Sequence, residues 1–256
     1  MSAHGTVPGL ARTAVTWLGV PGDRPDRFPE AAAAGADVVV LDPEDAVAPH
    51  GKGTARAEVA AWQGDAPRPC AVRVDADSPS PDADLAALAA TGPVLVLPES
   101  EDPGAVAAVV DRLPAGSCVV PGVVRLAFGS SDLAAELGVD PEHGPAMASA
   151  RGALVLASAA AGLPGPVDGV TGAVGDAQRL AADVARARAL DVAGKLCIHP
   201  VQVGPLASAE ELAWAERVLA GAGSNGVAVV DRRTVDKPVV ERARRLLAVG
   251  RTEGTA

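Results

Sequence analysis

The chain has 256 residues and a formal net charge of −10, with 22 Lys and Arg against 32 Asp and Glu. Nucleic-acid binders need basic stripes that neutralise phosphates, so this balance argues against that class of partner. Hydrophobic residues reach 48% while aromatics are only 2% and Tyr is missing, so Val, Leu and Ala must fill the core, which a barrel interior tolerates well. The length suits one large α/β barrel or two small domains. Cys70, Cys118 and Cys197 are odd in number, and each adjoins an apolar run. They read as reduced thiols of a cytoplasmic protein. No CxxC or HxxxH spacing suggests zinc.

In chain order, the opening MSAHGTVPGLARTA lacks an apolar signal core, and no apolar run approaches membrane-spanning length. Short apolar runs at 16–20, 37–42, 70–75, 94–98, 123–129, 167–172 and 195–199 then alternate with helical stretches at 25–34, 54–62, 81–90, 103–113, 146–161, 177–190 and 209–222. Alternation of this kind predicts a parallel sheet with crossover helices. Most runs are continuous, as strands buried on both faces require. Pro25 and Pro103 fit first helical turns, where a missing N–H costs nothing. Ser208 before Ala209-Glu210-Glu211 reads as an N-cap. A short run at 227–230, a polar segment 231–238 and a final helix 239–248 complete the chain. The expected division is a barrel domain over 1–222 and a C-terminal flap and helix over 223–256.

One stretch breaks the rhythm. Only Pro121-Gly122 separates Cys118-Val119-Val120 from Val123-Val124-Arg125-Leu126-Ala127-Phe128. Adjacent parallel strands need a crossover of a dozen or more residues. Either one run is a kinked approach to the other, or a βα unit has been lost. The expected fold is therefore an α/β, TIM-type (β/α)8 barrel, modified or shortened around its fifth βα unit.

In a parallel barrel, chemistry lies at the C-terminal ends of the strands. Those ends carry Asp23 and Arg24, then Asp42, Glu44 and Asp45, then Arg73 and Asp75, then Glu99, then Ser130, Ser131 and Asp132. An Arg in an apolar strand needs a partner, and a substrate carboxylate is a good bidentate one. Converging carboxylates suit Mg2+, which takes oxygen ligands and keeps waters. Alternatively each acid caps a helix or pairs with a nearby Arg.

Several segments resemble the citrate lyase beta-subunit family of the HpcH/HpaI aldolase superfamily. VPGDRPDRFPEAAAAGADVVVLDPEDAVAP is similar to its Pro-Gly-x-Arg-Pro loop and Leu-Asp-x-Glu-Asp-x-Val strand end. AVRVDA resembles its Val-Arg-Val-Asn strand, and LAFGSSDLAAELG its Phe-Gly-x-x-Asp-Leu segment. DGVTGAVGDAQRLAADVARARALDVAGKLCIHPVQV resembles its last barrel unit, and LAWAERVLAGA and TVDKPVVERARRLL its C-terminal segment. Each motif is moderately specific, and their serial order over residues 15–248 carries the resemblance. It implies Mg2+-dependent making or breaking of a carbon–carbon bond on a small hydroxy or keto acid, as a CoA or carrier-protein thioester, through an enolate stabilised by the metal. It also implies a homo-oligomer, a trimer in the family. Arg73 would grip the substrate, Asp132 would hold the metal, and Glu44 and Asp45 would line the site. Asp236 would act as acid/base from a mobile flap reaching a neighbouring subunit. Arg24, with Arg27 and Lys52 near it, is the candidate for thioester binding, and His199 closes the last βα turn.

Four departures qualify this. The family's Ile-Glu-Thr-x-x-Gly segment, which carries its second metal ligand, has no counterpart between Val120 and Val123. Pro-Lys at the fourth strand end is Pro98-Glu99, the third-strand Asn is Asp75, and Gly-Ala-Glu-Asp is Gly129-Ser130-Ser131-Asp132. Either acidity has moved, so that Glu99 and Asp132 share the cation, or metal binding is lost. In the second case the barrel serves a metal-independent biosynthetic reaction or a non-catalytic, partner-binding role.

Overall fold

The computed structural model describes residues 7–67, 70–74, 81–89, 94–113, 122–206, 209–221, 228–230, 233–235, 240, 243–244 and 247. Six strands form one sheet: β1 (Thr16–Pro21), β2 (Val38–Asp42), β3 (Cys70–Arg73), β4 (Leu95–Val96), β5 (Val167–Asp168) and β6 (Gly194–Cys197). Their order is β4-β3-β2-β1-β6-β5, and every pairing is parallel. Leu18 lies beside Val39 on one side and Cys197 on the other. Beyond β5, Ala127 makes an isolated parallel bridge to Val167.

Side-chain alternation along each strand separates two apolar layers. Leu18, Val20, Val39, Leu41, Val72 and Cys197 face the helices, packing with Phe28, Val59, Leu88 and Leu180. Trp17, Val38, Val40, Ala71, Val94 and Val167 face the other way and share a cluster with Ala11 and Ala14. Val94 precedes one edge strand and Val167 lies on the other, so the sheet must curl for both to join one cluster.

The helices are α1 (Val7–Thr13), α2 (Phe28–Ala33), α3 (Lys52–Asp65), α4 (Pro81–Ala89), α5 (Pro103–Asp111), α6 (Ser130–Leu137), α7 (Gly144–Ala160), α8 (Ala177–Ala189) and α9 (Ala209–Gly221). Pro25 and Pro103 do occupy first turns, and the Asp102 carboxylate accepts the Gly104 N–H at 2.8 Å to cap α5. The buried face of α9, Ala215 and Val218, packs against Ala243, with Val240 and Leu247 beside it. Near them β7 (Ala228–Val230) and β8 (Arg233–Val235) form an antiparallel hairpin.

Several elements depart from the sequence reading, among them strand β8, which falls in the segment expected to be polar and irregular. The expected strand 123–129 is reduced to the bridge at Ala127, because its neighbour β5 pairs over only two residues. Helices α1 and α6 were not expected. Ser208, Cys118 and Asp75 lie outside the described residues. Among the described residues no helix is long and apolar enough to cross a membrane.

Candidate functional site

The charged groups gather where β1, β2 and β3 end. The Asp42 carboxylate accepts the Glu44 N–H at 2.9 Å, turning the chain at Pro43. Gly22 donates its N–H to the Asp42 carbonyl at 2.7 Å. A Cβ at position 22 would sit 3.0 Å from the Pro43 Cα, so Gly lets the two strand ends touch. This places Asp42, Glu44 and Asp45 around the last residue of β3.

That residue is Arg73, which points to the same sheet face as Ala71. Its guanidinium bonds Asp45 at 2.6 Å and Asp42 at 3.3 Å, and its Nε meets Glu44. Glu44 is buried and Asp45 exposed. Burial raises the Asp42 pKa, with Arg73 opposing. Burial also works against the Arg73 charge, but Asp42, Glu44 and Asp45 together raise its pKa above the ordinary value. Three carboxylates around one guanidinium leave this rim net negative.

The structure thus brings Arg73, Glu44 and Asp45 together, as expected of a site, with the acids themselves as the partners of Arg73. Glu99 follows β4, exposed, at a positive φ of 45°. Asp132 is exposed in the first turn of α6. Arg24 is exposed and bonded to Asp26 at 2.9 and 2.7 Å. The His199 Nδ1 accepts the Val201 N–H at 3.2 Å, closing the turn after β6. Asp236 lies outside the described residues. Among the described residues no group of three or more His, Cys, Asp or Glu is arranged to hold a metal. Mg2+ asks for less, one or two carboxylates with the remaining positions left to water and substrate. Glu99 lies just past β4 at one edge of the sheet, and Asp132 lies in the first turn of α6, after the Ala127 bridge beyond the other edge.

Sequence reasoning missed a buried polar layer beneath the ends of β5 and β6. Asp168, fully buried, pairs with Arg151 of α7 at 2.6 Å and with Lys195 at 3.5 Å. Lys195 also donates to the Gly169 carbonyl, while burial lowers its pKa and Asp168 opposes. The Thr171 hydroxyl donates to Asp183 at 2.7 Å. Gln202 joins the two strand ends: its amide N–H donates to the Thr171 carbonyl at 2.8 Å, and its oxygen accepts the Ile198 N–H at 2.9 Å. The only signal was the motif Gly-Lys-x-Cys-Ile-His-Pro-x-Gln, which contains Lys195 and Gln202; nothing local pairs Asp168 with a residue 27 positions on.

The HpcH/HpaI aldolase/citrate lyase family model matches residues 15–118 and 110–200. A citrate lyase subunit beta-like protein of Mycobacterium tuberculosis is 34% identical over 258 residues, covering 90% of this chain and 93% of that protein. A (3S)-malyl-CoA thioesterase of Cereibacter sphaeroides is 32% identical over 267 residues, covering 90% and 92%. The crystal structure of the M. tuberculosis protein CitE with magnesium, acetoacetate and coenzyme A aligns with a TM-score of 0.64 at 31% identity, over 93% of this chain and 99% of that one.

Proposed function

Because the chain belongs to the HpcH/HpaI aldolase/citrate lyase family, we propose that it is a Mg2+-dependent carbon–carbon lyase acting on a small hydroxy or keto acid, carried as a CoA or carrier-protein thioester. The observation that carries the reading is the Arg73 cluster at the C-terminal rim of a parallel sheet, where this architecture puts its chemistry. The related CitE was crystallised with magnesium, acetoacetate and coenzyme A, ligands of the class proposed.

In this reading Arg73 exchanges the exposed Asp45 for a substrate carboxylate and keeps the buried Glu44 as its anchor. The exchange is isoelectric, so the guanidinium is never left without an anion. An acid approaching a net negative rim needs added positive charge, which a cation held by Asp132 and Glu99 would supply. When bound, that cation supplies Lewis-acid polarisation of a substrate carbonyl. Asp236 moves the proton at the reacting carbon, from a flap of a neighbouring subunit in a homotrimer. Arg24 contacts the thioester carrier after leaving Asp26. The barrel is a (β/α)8 type shortened near its fifth unit. The family model matches in two pieces that overlap over residues 110–118, next to the proposed shortening.

The test is calorimetric titration of acetoacetate with and without Mg2+. Binding linked to the metal is expected, and its absence would remove the mechanism. A second reading, thioester hydrolysis, is favoured by the (3S)-malyl-CoA thioesterase relatives. Release of free thiol without a second carbon fragment would select it.

A further inference from the structure

The ends of β5 and β6, separated in the sheet from the strand of Arg73 by β2 and β1, carry loops without charged residues that are unusually well tied down. From 169 to 175 the chain reads Gly-Val-Thr-Gly-Ala-Val-Gly, and after β6 it reads Ile198-His199-Pro200-Val201. The first segment is held from several sides. Lys195 donates to the Gly169 carbonyl, Asp183 accepts the Thr171 hydroxyl, and Glu142 accepts the Gly172 N–H at 3.1 Å. Arg179 in turn fixes Glu142, bonding its carbonyl at 2.7 Å and its carboxylate at 3.2 Å. Gln202 alone among these bonds both segments, with an amide 1% exposed whose donor serves Thr171 and whose acceptor serves Ile198.

We propose that Gln202 is a positioning residue that locks the β5 and β6 loops into one rigid, uncharged wall of the mouth, which receives the carbon end of the substrate while Arg73 receives its carboxylate. The substrate half rests on the lyase reading above; the locking half does not. Two hydrogen bonds from one planar amide, the Thr171 bond buried and the Ile198 bond part-buried, fix the separation of the loops, and the Thr171 carbonyl has no water to turn to. Ile198, 47% exposed, and the half-buried Val170, Ala173 and Val174 supply apolar surface there. A wall of that character favours carbon, and the carboxylate that touches it, Glu142 at Gly172, is neutralised by Arg179.

Hydrogen exchange on the full-length protein, followed in the peptides over 168–175 and 196–201, tests the lock. Gln202→Met removes both bonds at similar volume, and exchange in both peptides should rise together by about tenfold. Gln202→Glu keeps the acceptor for Ile198 but loses the donor for Thr171, so only 168–175 should quicken. A Gln202→Met protein in which neither peptide, or only one, responds overturns the lock, and that variant decides alone if Gln202→Glu does not fold. Acetoacetate titrated with Mg2+ tests the second half: its affinity should weaken about fivefold in Gln202→Met, with heat capacity of binding reduced. Unchanged affinity alongside faster exchange would refute the wall as a substrate surface. If the unmutated protein binds no acetoacetate, the lyase reading fails while the exchange result still stands or falls by itself.

Discussion

Arg73 is held by three carboxylates of unequal burial, and this sets what each substitution should do. Arg73→Ala leaves the buried Glu44 beside Asp42 and Asp45 with no cation between them. Unfolding in urea at pH 7 should show a loss of about 2 kcal/mol, less than for a fully buried pair because Asp45 is solvated. The loss should shrink as pH falls through the carboxylate range, since neutral acids no longer repel. Arg73→Lys should recover part of the stability, as one ammonium cannot serve three acceptors in a fork. Glu99 carries a different signature. Its φ of 45° is a conformation L side chains adopt at a cost of about 1 kcal/mol, and such outliers persist where function demands them. Glu99→Gly should raise the melting temperature while weakening Mg2+ binding by calorimetry. A variant that gains stability and keeps full metal affinity would free Glu99 from the metal role.

At the scale of elements, close approaches matter more than propensity. A Cβ at Gly169 would lie 2.1 Å from the Ser130 Oγ, 2.7 Å from its Cβ and 3.0 Å from the Phe128 carbonyl. The start of α6 is therefore pressed onto the end of β5, and Gly169→Ala should cost about 1–3 kcal/mol in urea denaturation. Ser130 itself is buried in this contact, so it serves packing rather than the rim. Helix α1 depends on a similar long-range contact. Arg125 donates to the Gly165 carbonyl at 2.8 Å and to the carbonyls of Ala11 and Ala14 at the C-terminal end of α1, where a cation also favours the helix dipole. Both facts explain what the sequence hid. The run of β2 was legible because burial on two faces writes itself as unbroken Val and Leu. Helix α1 was not, since Pro8 and Gly9 are poor helix formers and its anchor lies more than a hundred positions away. Phe128-Gly129-Ser130 read as the end of a strand because the turn into α6 has no side-chain cap. The meeting of Arg73 with Glu44 and Asp45 could be anticipated from their strand-end positions. The layer of Asp168, Lys195 and Gln202 could not, because its partners meet only after β5 and β6 pair.

For the molecule as a whole, the scarcity of aromatics leaves small aliphatics and two buried thiols between the sheet and the helices. Cys70 sits on β3 and Cys197 on β6, both in the layer with Leu18 and Val72. Burial pushes the Cys70 thiol up to about 11, with a hydrogen bond to Trp62 opposing, and the Cys197 thiol up to about 12, with Lys195 opposing. In the unfolded chain both titrate near 9.0. The folded state therefore binds more protons than the unfolded state above that value. Their contribution to stability is complete below pH 9 and is lost as pH rises through 9 toward 11 and 12. By pH 10.5 each thiol should have cost roughly 1–2 kcal/mol. Urea midpoints measured from pH 8 to 10.5 should fall steeply in the unmodified protein and less steeply in a Cys70→Ala, Cys197→Ala variant. Equal slopes would mean that the thiols reach solvent without unfolding. A thiol reagent at pH 8 on a Cys118→Ser background gives the independent check: neither Cys70 nor Cys197 should react in the native protein within the dead time of mixing, and both should react at the rate of unfolding once urea is added.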